Sequence, residues 1–191
     1  MPPVSERSNT HAAEERGELG WERAGLAGIS EREICFAYTL RRGTYGGLIT
    51  MSIEFIFFDI GGTLGERDQA TGKLLPFPSS TKLLTTIRDG LGLRIGIITT
   101  LGSLSNSQGH ALLEQAGLAN FVDPQGFVSE HDVNGVAKPD PAIYQFAAQK
   151  VEVPIENCLY VGENLLEVIG ALTAGMQAVL KPCPPGRDLP G

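Results

Sequence analysis

The amino-acid sequence predicts an α/β fold, a three-layer, doubly wound parallel β-sheet with helices on both faces. Five short apolar runs recur between Ile53 and Leu180, and they are largely continuous, as in strands buried on both faces. Segments with helical apolar spacing separate the runs, and this strand–helix–strand order is typical of parallel sheets. Polar residues stand where several of the runs end, which is where such sheets bind ligands.

The first predicted strand, Ile53 to Phe58, is rich in β-branched and aromatic residues and is interrupted only by Glu54. The three cysteines are widely spaced and show no metal-ligand pattern. Cys158 lies inside a predicted strand, so it is predicted to be a small buried hydrophobic residue. The other four predicted strands are Arg94 to Ile98, Phe127 to Val128, Cys158 to Val161 and Gln177 to Leu180.

Four helices are predicted from N-cap residues, apolar spacing and glycine stops. Ser79 or Ser80 caps the first, and the pair Asp140-Pro141 gives the third an N-cap and a first-turn proline. The apolar residues that mark the helices are, in order, Leu83, Leu84 and Ile87; Ala111 and Leu112; Ile143, Phe146 and Ala147; and Leu165, Val168, Ile169 and Leu172.

Composition excludes several classes of protein. The chain has 191 residues, 42% hydrophobic and 19% charged, as in an ordinary globular protein with one domain. Its net charge of −7 argues against a non-specific nucleic-acid surface. No apolar run approaches the roughly 18 to 20 residues that span a bilayer, and no secretory signal opens the chain. We therefore predict a cytoplasmic protein that binds neither nucleic acid nor membrane.

The first fifty residues differ from the rest. They contain six arginines without a lysine and seven glutamates without an aspartate, and they lack a sustained apolar face. We predict that residues 1–50 are a disordered extension or reflect a start assigned too early, with Met51 as the true beginning. A regulatory or docking extension is the alternative. Residues 51–181 then form the domain, and 182–191 are a tail rich in proline and glycine.

Four chemically active residues are placed by this prediction along one edge of the sheet. They are Asp59, Thr99, Lys138 and Glu163. Two carboxylates, a hydroxyl and an ammonium group suit a phosphoryl centre with a nucleophile, a Mg²⁺ ligand and donors to phosphate oxygens. Gly61 and Gly62 allow the backbone to approach the same point. This spacing does not separate a phosphotransfer enzyme from a phospho-accepting signalling domain.

Four segments resemble, in order, the motifs of the haloacid dehalogenase superfamily, whose members are mostly Mg²⁺-dependent phosphatases. The resemblance runs from about Met51 to Leu180 and implies that superfamily's Rossmann-like fold. The segments are FFDIGGTLG (Phe57 to Gly65), GIITT (Gly96 to Thr100), GVAKPDPAIY (Gly135 to Tyr144) and LYVGENLLEVIGALTAGM (Leu159 to Met176).

The resemblance implies a role for each matching residue. Asp59 is the nucleophile that carries an aspartyl-phosphate, and Thr99 and Lys138 complete the catalytic set. The implied phosphate-binding residues are Gly62, Thr99, Thr100 and Lys138. The implied Mg²⁺ ligands are Asp59, Gly61 through its carbonyl, Glu163 and Glu167, where Glu167 orients Glu163 or a metal-bound water.

Two departures from the family pattern bear on activity. Gly61 stands where the family usually has an aspartate that acts as general acid and base, a contribution typically worth about 10²- to 10⁴-fold. Glu66 or His131 is a candidate to substitute for it. Glu163 and Glu167 stand where aspartates are common, so the carboxylates are kept but are one methylene longer.

The segments after the first and second motifs are too short for the cap domain that the family often inserts there. We therefore predict an open site, which suits a large substrate or shielding by a second copy in a homo-oligomer. The main functional prediction is a Mg²⁺-dependent phosphohydrolase. The alternatives are an impaired member that binds phosphate or a partner without turnover, and carbon–halogen cleavage, which the missing cap and the retained acidic residues disfavour.

Overall fold

The computed structural model describes residues 52–182, all within one compact unit, Arg42–Gly191. The predicted extension (1–50), Met51 and all but the first residue of the predicted tail (182–191) lie outside the described residues. Within 52–182, none of the helices has the length and apolar character needed to cross a bilayer.

The centre of the fold is a five-stranded parallel sheet, which confirms the predicted fold class. Its strands are β1 (Phe55–Phe58), β4 (Arg94–Thr99), β5 (Phe127–Ser129), β6 (Cys158–Gly162) and β7 (Gln177–Leu180). They lie in the order β5-β4-β1-β6-β7. A two-stranded antiparallel hairpin, β2 (Gly65–Arg67) and β3 (Leu74–Pro76), follows β1.

The helices connect the strands of the sheet. They are α1 (Ser80–Thr85), continued by a π-helical turn (Thr86–Gly90), α2 (Asn106–Gln115), α3 (Pro141–Lys150) and α4 (Leu165–Thr173). Three short 3₁₀ helices span Ala119–Phe121, Glu130–Val133 and Ile155–Asn157. Within residues 52–182, β1 is therefore followed by a hairpin and a helix, and β4 is followed by helices, rather than by a further domain.

Both faces of β1 are buried, because its side chains alternate between two layers of the core. Phe55 and Phe57 stack with ring centroids 4.5 Å apart, in a cluster that includes residues of α3 and α4. Gly96 lies opposite Phe57 in the register, and a Cβ at Gly96 would come within 2.7 Å of both rings. A glycine in β4 therefore makes room for the stacked pair.

Side-chain caps begin three of the helices. Asp140 accepts a hydrogen bond from the Ala142 amide at 2.9 Å, as the pair Asp140-Pro141 predicts. Asn164 accepts a hydrogen bond from the Leu166 amide. The prediction for α1 is wrong in detail. Ser79 occupies the N-cap position without a capping hydrogen bond, and the Ser80 hydroxyl donates to the Leu64 carbonyl at 2.7 Å. Ser80 thus ties α1 to the loop after β1.

Helix α4 is present as predicted, but of the four apolar residues that marked it in the sequence only Val168 is buried. Val168, Gly170 and Ala171 are its buried residues. Leu165, Ile169 and Leu172, which marked the helix in the sequence, are 49–56% exposed. Gly170 and Ala171 are small, so α4 packs closely against the rest of the fold through them. The larger side chains of the helix are exposed to solvent.

Candidate active site

The carboxyl ends of three neighbouring strands bring together the residues of the candidate site. Asp59 follows β1, Thr99 ends β4 and Glu163 follows β6. The Asp59 amide donates to the Val161 carbonyl at 3.0 Å, which extends the pairing of β1 with β6. Asp59 and Thr99 are only 6% and 5% exposed. The sheet thus places a buried carboxylate and a buried hydroxyl at adjacent strand ends, as predicted.

Lys138 is the cation of the site. Its Nζ atom lies 2.5 Å from Asp59 Oδ1 and 2.8 Å from Glu167 Oε2, and its side chain is 2% exposed. Lys138 stands just before Asp140, which caps α3, while Glu167 comes from the first turn of α4. The loop before α3 and the first turn of α4 therefore direct a lysine and a glutamate toward the end of β1.

Tyr160 belongs to the same cluster, although the sequence analysis missed it. Its hydroxyl donates to Glu167 Oε2 at 2.7 Å and accepts from Lys138 Nζ at 3.2 Å. The Tyr144 hydroxyl donates to the Glu167 carbonyl at 2.8 Å. A tyrosine inside a fully buried strand needs a partner for its hydroxyl, and that requirement was the available signal.

The loop after Asp59 contacts Glu163. Gly62 has φ +65°, and a Cβ there would lie 2.8 Å from the Glu163 side chain. Thr63 Oγ1 donates to Glu163 Oε2 at 2.9 Å. The Gly62 amide donates to the Gly65 carbonyl, whereas the Ile60 and Gly61 amides donate to no backbone oxygen within residues 52–182. The two amides beside Asp59 are thus the ones left for a ligand.

Glu130 holds the segment that follows Thr99. Its carboxylate accepts hydrogen bonds from the Leu101 amide at 2.9 Å and the Gly102 amide at 2.6 Å. Burial alone would raise the pKa of Glu130, but these backbone donors outweigh it and hold the pKa below its ordinary value. Thr100, an implied phosphate contact, is exposed at the start of this segment.

The charges of the site are unbalanced. Burial, with smaller contributions from the carboxylates of Glu167 and Glu163, raises the pKa of Asp59 to about 7 despite the nearby Lys138 ammonium. Burial would lower the pKa of Lys138, but Asp59 and Glu167 outweigh it and raise the pKa above its ordinary value. One ammonium group thus faces three carboxyl groups.

The described residues contain no group of three or more His, Cys, Asp or Glu side chains arranged to hold a metal. Glu167, an implied metal ligand, is bonded to Lys138 and Tyr160. The remaining oxygen donors are Asp59, the Gly61 carbonyl and Glu163. Mg²⁺ characteristically takes one or two protein carboxylates and keeps several waters. This donor set and its excess negative charge therefore fit Mg²⁺.

The two candidate substitutes for the missing acid lie in other elements. Glu66 is the middle residue of β2 and pairs with Leu75. His131 lies in a 3₁₀ helix, with Nε2 2.8 Å from the Leu104 carbonyl. Neither the hairpin register nor this histidine contact brings them to Asp59, so both assignments stay predictions.

Comparison with known proteins places this geometry in a family. A family model described as haloacid dehalogenase-like hydrolase matches residues 66–175, more than half of the chain. The matched region includes Thr99, Lys138 and both glutamates, and it begins after Asp59.

Two curated relatives are named phosphatases. One from Mycobacterium tuberculosis (strain CDC 1551 / Oshkosh) is 36% identical over 89 residues, 47% of this chain and 39% of the relative. The other, a 5-amino-6-(5-phospho-D-ribitylamino)uracil phosphatase from Escherichia coli (strain K12), is 38% identical over 73 residues, 38% of this chain and 29% of the relative. The matches thus span less than half the length of either relative.

A solved structure agrees with the fold. An uncharacterized protein from Listeria monocytogenes serotype 4b superimposes with a TM-score of 0.61 at 18% identity, covering 72% of this chain and 85% of that one. Identity this low supports the fold alone, and it does so over most of both chains.

Proposed function

The chain belongs to the haloacid dehalogenase-like hydrolases, and we propose that it is a Mg²⁺-dependent phosphohydrolase that forms an aspartyl-phosphate on Asp59. The observation that carries the proposal is the buried ion pair between Lys138 and Asp59, 2.5 Å apart at the end of the central strand. A buried ion pair is seldom a net gain in stability. A carboxylate kept in this setting therefore favours a chemical role over a structural one.

In the proposed reaction, Asp59 attacks the phosphorus in line with the leaving group. A bond forms from an Asp59 oxygen to phosphorus, and the leaving oxygen departs with the electron pair of the broken bond. Lys138 neutralises charge on Asp59 and on the phosphoryl group, while Thr99 and the Ile60 and Gly61 amides bind its oxygens. Water then attacks the phosphorus, which releases phosphate and restores the Asp59 carboxylate.

Asp59, the Gly61 carbonyl and Glu163 would hold the metal. Bound there, Mg²⁺ would offset the negative charge of the site and of the phosphate group. Glu167, which is bonded to Lys138 and Tyr160, would orient Lys138, and its role as a metal ligand stays a prediction. Gly62 serves to make room for Glu163, and phosphate contacts by Gly62 and Thr100 remain predictions.

The substrate class follows from position 61. Glycine supplies no proton to a leaving alkoxide, so we expect aryl or acyl phosphates, whose leaving groups need none, to react faster than alkyl phosphates. An open site that admits a large substrate stays a prediction from the sequence. Assembly into a homo-oligomer and a cytoplasmic location stay predictions from the sequence.

The test is hydrolysis of p-nitrophenyl phosphate by the full chain, with Mg²⁺ and with EDTA. We expect a metal-dependent rate that Asp59→Asn abolishes. Asp68→Asn is the matched control, because Asp68 lies at the tip of the hairpin, and we expect it to keep the wild-type rate.

The absence of turnover above Asp59→Asn in a folded wild-type protein would refute the proposal. A second candidate, phosphate or partner binding without turnover, is favoured by Gly61 alone. Calorimetric titration with inorganic phosphate, showing binding without turnover, would then support it.

A further inference from the structure

Lys181, the residue after β7, reaches from the last strand of the sheet to the loop that follows Asp59. Its Nζ atom donates to the Gly62 carbonyl at 2.7 Å and to the Thr63 carbonyl at 2.9 Å. The ammonium also lies 4.1 Å from the centre of the Phe77 ring. One cation thus binds two consecutive carbonyls of the loop.

We propose that Lys181 is a positioning residue of the active site, which fixes the backbone of residues 61–63 so that the Asp59 loop and Glu163 keep one arrangement. The kinetic part of this proposal rests on the proposed function. The structural part, an ordered loop that depends on the Lys181 ammonium, does not.

The loop needs an external constraint. Two adjacent glycines give it more conformational freedom than any other pair of residues would. A Cβ at Gly61 would meet nothing within 4 Å, so no neighbouring side chain restrains this residue by packing. Hydrogen bonds from a charged donor are stronger than those between neutral groups. The Lys181 ammonium is therefore well suited to restrict the peptide planes that follow Gly61.

Lys181 connects the two halves of the site. Its amide donates to the Gly162 carbonyl at 2.8 Å, directly before Glu163, while its side chain holds Gly62 and Thr63. Thr63 in turn donates to Glu163. The Gly61 carbonyl and the Glu163 carboxylate are therefore placed relative to each other by contacts that meet at Lys181.

The experiment compares Lys181→Met and Lys181→Arg with Lys150→Met in the full chain. Methionine keeps much of the apolar stem but has no donor, whereas arginine can donate to both carbonyls. Lys150 is the matched control. It donates to the Phe127 carbonyl at 2.8 Å and lies 5.9 Å from the Phe146 ring, in α3, outside the Asp59 loop.

The first measurement is amide hydrogen exchange of residues 62–65, whose amides donate hydrogen bonds within the loop. We expect exchange to rise about 10-fold or more in Lys181→Met, as the loss of a hydrogen bond to a charged group implies. Arginine should restore wild-type exchange, and Lys150→Met should leave this loop unchanged. Should methionine prevent folding, Lys181→Gln, which keeps an uncharged donor, replaces it.

The second measurement is kcat/KM for p-nitrophenyl phosphate, beside thermal unfolding. Misplacement of the loop should lower kcat/KM by about 10- to 100-fold in Lys181→Met, with recovery in Lys181→Arg. Exchange and kcat/KM that match those of Lys150→Met would overturn the proposal. If the wild type shows no turnover that depends on Asp59, the proposed function fails, and the exchange result still decides the role of Lys181.

Discussion

Residue 61 is exposed, and a Cβ built there meets nothing within 4 Å. Its φ lies outside the left-handed region, so the backbone accepts other residues. The site therefore has room for the acid that the family usually carries at this position. The proposed loss of general acid–base help at Gly61 is therefore a matter of chemistry and not of space.

We predict that Gly61→Asp increases hydrolysis of alkyl phosphates. A carboxyl group there would protonate the leaving alkoxide, and such help is typically worth about 10²- to 10⁴-fold. The measurement is kcat/KM for an alkyl and an aryl phosphate in wild type and variant. The gain should be larger for the alkyl ester, because its leaving group needs the proton.

Gly61→Ala controls for the change in backbone freedom, and it should not alter the ratio of alkyl to aryl rates. An equal gain with alanine would show that loop stiffness, rather than proton transfer, limits the rate. A folded Gly61→Asp protein without any gain would mean that the new carboxyl group does not reach the leaving oxygen.

At this scale, the sequence allows part of the site to be predicted. Asp59, Thr99 and Glu163 are predictable because the carboxyl ends of parallel strands share one edge of the sheet. Tyr160 and Lys181 were not, because their partners are set by packing between segments far apart in the chain. Tyr160 looks like one more apolar residue of a buried strand until Lys138 and Glu167 lie beside its hydroxyl.

Among the elements, helix α4 and the loop that carries Lys138 are in backbone contact. A Cβ at Gly170 would lie 2.1 Å from the Pro139 carbonyl oxygen, closer than real Cβ atoms come to a neighbour. This approach brings Glu167 of α4 within 2.8 Å of Lys138 Nζ. The geometry of the ion pairs therefore depends on a helix surface without a side chain at residue 170.

We predict that Gly170→Ala destabilises the protein by about 1–3 kcal/mol, the usual cost of overpacking. It should also lower kcat, because α4 and the Lys138 loop must separate. Chemical denaturation and p-nitrophenyl phosphate kinetics test the two effects. The displaced group is backbone, so a change of rotamer cannot relieve the contact.

Gly90→Ala is the matched control. Gly90 is exposed at the end of its π-helical turn, and a Cβ there would meet only the Thr86 methyl group at 3.8 Å. The free energy of unfolding of Gly90→Ala should be unchanged or slightly higher than that of the wild type, since alanine is a better helix former than glycine. Equal stability of the two variants would show that α4 moves away without cost.

The order of the elements follows from the sequence more reliably than their orientation does. Continuous apolar runs such as Phe55–Phe58 identify buried strands whichever way they face. Helix α4 shows the limit. Leu165 and Leu172 helped to mark this helix in the sequence, but they are exposed, while Val168, Gly170 and Ala171 are buried. Hydrophobic spacing alone contains no information about that packing.

For the molecule as a whole, the buried Asp59 carboxylate opposes folding at neutral pH. Asp59 has a pKa of about 7 in the folded protein, against an ordinary value of 3.8. A carboxyl group with a raised folded pKa contributes stability that is present below the unfolded pKa and lost as pH rises through the folded pKa. The metal-free protein should therefore lose stability from this group as pH rises toward about 7.

We predict that, in EDTA, the free energy of unfolding falls between pH 5.5 and 7 by up to ~1.4 kcal/mol per pH unit from Asp59. Above the folded pKa this contribution levels off. Mg²⁺ should stabilise the protein more at pH 8 than at pH 6, because the metal and the proton compete for Asp59. Denaturation curves at each pH, with and without Mg²⁺, give both results.

Asp59→Asn is the control, since it removes this titration and keeps all three histidines. The variant should be more stable than the wild type in EDTA at pH 8 and should have a flatter pH profile. Parallel profiles for the two proteins would contradict the raised pKa of Asp59.

The bond from Lys181 to Gly62 spans 119 positions of the chain. A ribosome makes Asp59 early, but the loop beside it receives its ammonium partner only after β7 has been made and has joined the edge of the sheet. During synthesis, order in the active site thus comes last. A chain halted before residue 181 can hold every residue proposed to touch phosphate and still lack the contact proposed to order the Asp59 loop.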